Sequence, residues 1–239
     1  MAAPGPLIAH RGASFEQPEN TMAAFEAARA DGCAWIELDA QVLDDFGVVI
    51  MHDHTLDRTT DGTGPVAMQD LDAIKALRTR DPQTDDPVDE RVPELRDVLA
   101  YCTDTGMGMI LEIKATWGVD ADDAEAVVRM VPQTPAFPLL VTSFSVTALQ
   151  TVGALRPDLA LGLATLRPPR DPAATKARLG LSAIHCNAAW TVGADIDAMH
   201  AAGLDVAIAT INEPNEARWF LDLGADGVMT DLPRLLASG

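Results

Sequence analysis

The chain has 239 residues, 48% of them apolar, and a formal net charge of −19. That length and composition suit one sizeable core of α/β-barrel dimensions, and the charge argues against nucleic acid or an anionic membrane surface as partner, since both attract basic patches. Met1 to Pro6 show no secretory leader and no apolar run approaches a membrane span of roughly 20 residues, so a soluble cytoplasmic protein, monomer or homodimer, is expected.

Short apolar strands alternate with amphipathic helices along the chain. Strands are expected at Leu7 to His10, Trp35 to Asp39, Val48 to His52, Met109 to Lys114, Leu139 to Ser143, Ala160 to Ala164, Ala183 to Asn187, Asp205 to Thr210 and Gly227 to Thr230. Helices are expected at Thr21 to Ala30, Pro93 to Thr105, Ala121 to Met130, Val146 to Leu155, Pro172 to Leu179, Asp195 to Ala202 and Pro214 to Leu223. Repeated strand-then-helix units build a parallel sheet. Their number favours closure into an eight-stranded barrel, with Val48 to His52 folding back on Asp39 to Leu43 across Asp44-Asp45-Phe46-Gly47. An open doubly wound sheet competes, but no G-x-G-x-x-G follows the first strand. Residues 55–91 break the pattern and read as a rim insertion within a single domain spanning 1–239. Cys33, Cys102 and Cys186 lie far apart in apolar surroundings and read as buried free thiols.

Residues two apart on a strand share a face. Glu37 and Asp39 therefore point into the barrel while Ile36 and Leu38 face the helices, and Glu112 with Lys114 repeats the arrangement beside Leu111 and Ile113. His10 and His52 end two further strands, so these groups converge at the mouth where barrel enzymes build their sites. Histidines that exchange protons near neutrality, carboxylates for a hard cation and Arg11 for phosphate oxygens are the parts of a metal-assisted phosphodiesterase. Asn20 or Thr21 can cap the following helix, and Glu19 is placed to orient Arg11. Asp53 and Arg58 read as supports of the His52 loop, whereas His54, His185 and His200 read as structural.

The motifs Ala9-His10-Arg11-Gly12, Pro18-Glu19-Asn20-Thr21, Glu37-Leu38-Asp39, His52-Asp53, Leu56-x-Arg58-Thr59-Thr60, Glu112-Ile113-Lys114, Thr210-Ile211-Asn212 and Gly227-Val228-Met229-Thr230-Asp231 occur in this order over nearly the whole chain. In them the sequence resembles the glycerophosphodiester phosphodiesterase family, of the soluble bacterial type. The resemblance implies a TIM (β/α)8 barrel with an insertion after His52-Asp53, a divalent cation (Mg²⁺ or Ca²⁺, with Mn²⁺ as a further candidate), and hydrolysis of small diesters such as glycerophosphocholine or glycerophosphoethanolamine to sn-glycerol 3-phosphate and an alcohol. It places the metal ligands on Glu37, Asp39 and Glu112 and the catalytic pair on His10 and His52, with Arg11 and Lys114 toward phosphate. His10 is expected to act as general base and His52 as general acid.

One departure bears on substrate. Ala209 stands where many relatives carry tryptophan, so an aromatic wall is missing, and Trp190, Trp117 or Phe144 are the candidates to replace it. Two other readings compete: a lysophospholipid or other diester as substrate, which an apolar rim or basic patch would support and the sequence does not display, and a non-catalytic barrel that binds phosphorylated ligands.

Overall fold

The computed structural model describes residues 6–234. Residues 1–5, most of the stretch read for a leader, and 235–239 lie outside the described residues.

Eight parallel strands close into a barrel: β1 (Leu7–His10), β2 (Trp35–Val42), β4 (Gly108–Ile113), β5 (Leu139–Ser143), β6 (Ala160–Thr165), β7 (Ala183–Asn187), β8 (Asp205–Ala209) and β9 (Gly227–Thr230). The ring runs in that order and closes where β1 pairs with both β2 and β9. A ninth strand, β3 (Val48–Ile50), lies outside the ring as an antiparallel hairpin partner of β2. The helices α1 (Met22–Ala30), α3 (Leu95–Thr105), α4 (Asp120–Met130), α5 (Val146–Leu155), α6 (Pro172–Leu179), α7 (Gly193–Ala201) and α8 (Pro214–Asp222) connect the strands. Between β3 and α3 lie a 3-10 turn, Val66–Met68, and the short helix α2 (Leu71–Ala76). This is a TIM barrel.

Two apolar layers hold it together. Ile36, Leu38, Leu111 and Ile113 face outward into the large core beneath the helices. Inside the ring, Ile8, Trp35, Ile110, Leu140, Ala160, Ala183, Ala207 and Met229 come one from each barrel strand and form a separate floor. Gly108 makes room for it, since a Cβ there would lie 2.5 Å from the Trp35 ring. Phe25 and Phe220 are almost wholly buried in the outer layer, and truncating either to alanine costs about 3–5 kcal/mol. The β3–α3 segment has its own cluster, with Val49, Leu56, Val66 and Ile74 buried together.

Helix starts follow local chemistry. Thr21, Ser145 and Asp171 accept the backbone N–H three residues on, and Pro172 occupies the first turn of α6. Several expected bounds move for the same reason: Thr21 and Glu94 are caps, so α1 and α3 begin after them. β3 ends at Ile50 rather than His52: the last bond to β2 runs from Met51 N–H to the Asp39 carbonyl at 2.8 Å, and the chain leaves the sheet after it. His52 consequently sits on a loop. Among the described residues no helix is long and apolar enough to cross a membrane.

Candidate active site

The site begins with strand register. Asp39 of β2 pairs with Glu112 of β4, so Glu37, Asp39 and Glu112 each offer an oxygen within 4.8 Å of the others. Burial followed by the Asp39 charge pushes Glu37 up to about 8. Glu112 is raised by the same two causes in the same order. At Asp39 burial works in that direction too, but Lys114 and Arg11 outweigh it and the carboxyl is lowered. Lys114 Nζ lies 2.8 Å from Glu112 Oε1 and 3.4 Å from Asp39 Oδ1. Three clustered carboxylates, Glu37 and Asp39 buried and Glu112 half-buried, fit a hard divalent cation, and an all-oxygen donor set suits Mg²⁺ or Ca²⁺ rather than zinc.

His10 and Arg11 enter from the end of β1. Arg11 takes a left-handed φ of 59°, and its N–H donates to the Glu37 carbonyl at 2.9 Å. Gly12 follows at φ 82°, where a Cβ would stand 2.6 Å from the Ala24 backbone; only glycine permits this turn to lie on α1. Arg11 Nη1 donates to Glu19 Oε1 at 2.9 Å. Its Nε is 3.3 Å from Asp39 Oδ2, but the geometry is off-axis and this buried N–H has no hydrogen-bond partner.

Each histidine is oriented by a carboxylate on Nδ1. His10 Nδ1 meets Asp231 Oδ1 at 2.7 Å, and His52 Nδ1 meets Asp53 Oδ1 at 2.7 Å. Asp231 accepts further bonds from Ser14 Oγ at 3.1 Å and Asn212 Nδ2 at 2.8 Å. Burial opposes its ionisation, yet the His10 bond and charge hold Asp231 down at about 2. An ionised partner keeps the proton on Nδ1 and turns the Nε2 lone pair of a neutral ring toward the cavity. At His10 burial lowers the pKa, but Asp231 and Glu37 more than reverse it. At His52 burial prevails over Asp39 and the pKa falls.

A second tier fixes these groups. Arg58 forks onto Asp53, with Nε to Oδ2 at 2.6 Å and Nη2 to Oδ1 at 2.9 Å, and forks onto Glu19 as well. Gln41 Nε2 donates to the Met51 and Asp53 carbonyls at 2.8 and 2.6 Å, bracketing His52. Asn20 takes no part in capping α1: its Nδ2 donates to Asp39 Oδ2 at 2.9 Å, and Thr21 provides the cap.

The cavity enclosed by these groups has a volume of about 160 Å³ and holds His10, Arg11, Glu37, Asp39, His52, Glu112 and Lys114 on one side. Glu19, Asn20 and Asp53 stand behind them. The opposite wall carries Thr142, Phe144, His185 and Asn187.

Residues 10–235 match the glycerophosphoryl diester phosphodiesterase family. The chain belongs to this family. It is an enzyme, and its relatives act in the same class: a glycerophosphodiester phosphodiesterase of Caldanaerobacter subterraneus subsp. tengcongensis is 29% identical over 231 residues, 96% of this chain and 95% of the relative. A phosphodiesterase from Oleispira antarctica, solved in complex with the product sn-glycerol-3-phosphate, is similar with a TM-score of 0.92 and 31% identity, covering 98% of this chain and 95% of that one. The glycerophosphodiester phosphodiesterase of Agrobacterium tumefaciens is similar with a TM-score of 0.81 and 27% identity, covering 98% and 100%.

Within this family fold, three features add to the sequence reading. His185 lies on the cavity wall, buried, with Nε2 lacking a hydrogen-bond partner, and burial pushes it down to about 4. Its inward direction was available from the alternation of Ala183, His185 and Asn187 against the outward Ile184 and Cys186. Asp231 and Asn212 were visible as motif residues without a role, because nothing in spacing shows that Asp231 reaches His10 across 221 positions. Finally, an apolar rim is present. Trp117, Phe144, Leu166, Trp190 and Val192 are all exposed on the loops after β4, β5, β6 and β7.

Proposed function

We propose that the protein hydrolyses glycerophosphodiesters, such as glycerophosphocholine or glycerophosphoethanolamine, to sn-glycerol 3-phosphate and an alcohol, using a divalent cation and the histidine pair. The observation that carries this reading is the joint placement of His10, His52 and three clustered carboxylates on one cavity. Glu37, Asp39 and Glu112 would hold Mg²⁺ or Ca²⁺, which when bound supplies charge to offset that developing on the phosphoryl oxygens. Arg11, on the cavity wall, binds a non-bridging oxygen. Lys114, tied to Glu112 and Asp39, adds positive charge beside the same oxygens.

The division of labour follows depth in the site. The His10 side chain is 19% exposed and that of His52 33% exposed, so His52 faces the open mouth through which an alcohol departs. His10 Nε2 takes the proton of the attacking hydroxyl, and His52 gives its proton to the leaving oxygen. Asp231 and Asp53 hold the two rings in place during both transfers. A cation on Glu37 would also remove one of the charges that raise His10, which suits that ring to the role of base.

The apolar rim favours a second reading, in which the diester carries an alkyl chain as a lysophospholipid does. Phosphorus-31 NMR of the products tests the primary reading. Formation of sn-glycerol 3-phosphate from glycerophosphoethanolamine is expected; accumulation of phosphoethanolamine, or turnover of lysophospholipid alone, would overturn it.

A further inference from the structure

The loops after β6 and β7 carry a pair of side chains that the phosphodiester chemistry leaves unused. The Arg167 guanidinium lies over the Trp190 ring, 3.9 Å from its centroid. Among the described residues it has no carboxylate partner, in a chain with 36 Asp and Glu against 17 Lys and Arg. Stacking on an aromatic face leaves the edge of a guanidinium, with its fork of donors, directed outward.

Both residues are held in place. Thr165 Oγ1 donates to the Arg167 carbonyl at 2.9 Å and accepts the Arg167 N–H at 3.3 Å, and Pro168 and Pro169 stiffen the chain that follows. The turn Ala188–Trp190 is capped by Asn187 Oδ1, which accepts from Ala189 N–H at 3.0 Å, and Thr191 Oγ1 donates to the Asn187 carbonyl at 2.9 Å. Thr165, Leu166 and Asn187 line the catalytic cavity, so the stacked pair stands at its lip. In the strand order of the ring β7 is diametrically opposite β2, which carries Glu37 and Asp39. The register Asn187 with Ala209 puts a small side chain beside this lip and leaves the path across the mouth open.

We propose that Arg167, stacked on Trp190, binds a second anionic group of the substrate, a phosphate on the leaving alcohol, remote from the phosphorus that is attacked. The inference rests on the glycerophosphodiesterase reading and narrows it to diesters whose alcohol carries a further phosphate. The chain's overall negative charge repels such a substrate, so the local fork of Arg167 supplies the compensating contact.

Glycerophosphoinositol and glycerophosphoinositol 4-phosphate form a matched pair whose leaving alcohols differ only by one phosphate, so the ratio of their kcat/KM values isolates that phosphate. The ratio is expected to favour the 4-phosphate in the wild-type enzyme. In Arg167→Gln it falls about tenfold, the lower end for a charge-assisted bond at a half-open site, and in Trp190→Leu about threefold. Arg178→Gln removes the same charge from α6, away from the mouth, and keeps the wild-type ratio. An unchanged ratio in Arg167→Gln, or an equal fall in Arg178→Gln, overturns the inference while the diesterase reading stands. If the wild-type enzyme hydrolyses neither compound nor any simpler glycerophosphodiester, the reading and the inference fall together.

Discussion

Arg58 closes a two-bond fork on Glu19, Nη1 to Oε2 at 2.6 Å and Nη2 to Oε1 at 2.8 Å, while the same guanidinium grips Asp53. Glu19 in turn holds Arg11 and Asp53 holds His52, so one side chain from the β3–α3 segment ties Arg11 to His52. Arg58→Ala is expected to lower kcat/KM roughly 10–100-fold, the usual cost of losing a partner that orients catalytic groups. Arg58→Lys should recover only a small part, because an ammonium cannot make two forks. Steady-state kinetics on the three proteins checks this, and full activity in Arg58→Lys would contradict it.

Glu112 is the carboxylate of the cluster that is also bonded to Lys114. Glu112→Gln removes one anionic ligand and should weaken binding of Mg²⁺ or Ca²⁺ by at least about tenfold, with activity falling in parallel. His52→Ala should leave cation affinity within about twofold while kcat drops about 10²- to 10⁴-fold. Calorimetric titration of both variants separates the two roles, and equal loss of cation in both would refute the assignment.

If His52 protonates the departing oxygen, an alcohol that leaves as a stable anion needs it less. His52→Ala should therefore lose far less rate on a p-nitrophenyl diester than on glycerophosphoethanolamine, whereas His10→Ala should lose similar factors on both. The opposite pattern would exchange the roles of the two rings.

His185 gives a pH effect on stability rather than on rate. Its folded pKa of about 4 lies below the ordinary 6.5, so beneath pH 6.5 the unfolded chain takes up a proton that the folded chain refuses. Stability present above that pH is lost as pH falls, by about 1 kcal/mol at pH 5.5 and about 3 kcal/mol once pH is below 4. In differential scanning calorimetry the Tm of the wild type relative to His185→Gln should drop by about 2–4 °C between pH 7.5 and 5.5. Parallel curves for the two proteins would show that His185 does not contribute.

Much of the barrel was legible because each strand is short, apolar and bounded by a local signal. Leu139–Ser143 follows Pro138 and is followed by Ser145, the cap of α5, so both elements could be bounded from sequence. Val48–Ile50 was read two residues too long, since its end is set by where hydrogen bonding to β2 stops, after Met51 N–H meets the Asp39 carbonyl, and not by its own side chains. The inward direction of Glu37, Asp39, Glu112 and Lys114 came from period-two alternation, which a buried parallel strand preserves. The partners that orient the histidines did not emerge as readily. Asp53 is adjacent to His52, but Asp231 reaches His10 only because β9 closes the ring against β1.

The central claim is that a cation held by Glu37, Asp39 and Glu112 is required for diester hydrolysis in this cavity. Release of sn-glycerol 3-phosphate from glycerophosphocholine or glycerophosphoethanolamine by purified enzyme, first with chelator and then with Mg²⁺ or Ca²⁺ restored, tests it most directly. Activity abolished by chelator and restored by one of these ions in the wild type, but not in Glu112→Gln at the same concentration, is the predicted result. Undiminished hydrolysis in chelator, by protein shown to contain no bound metal, would contradict it.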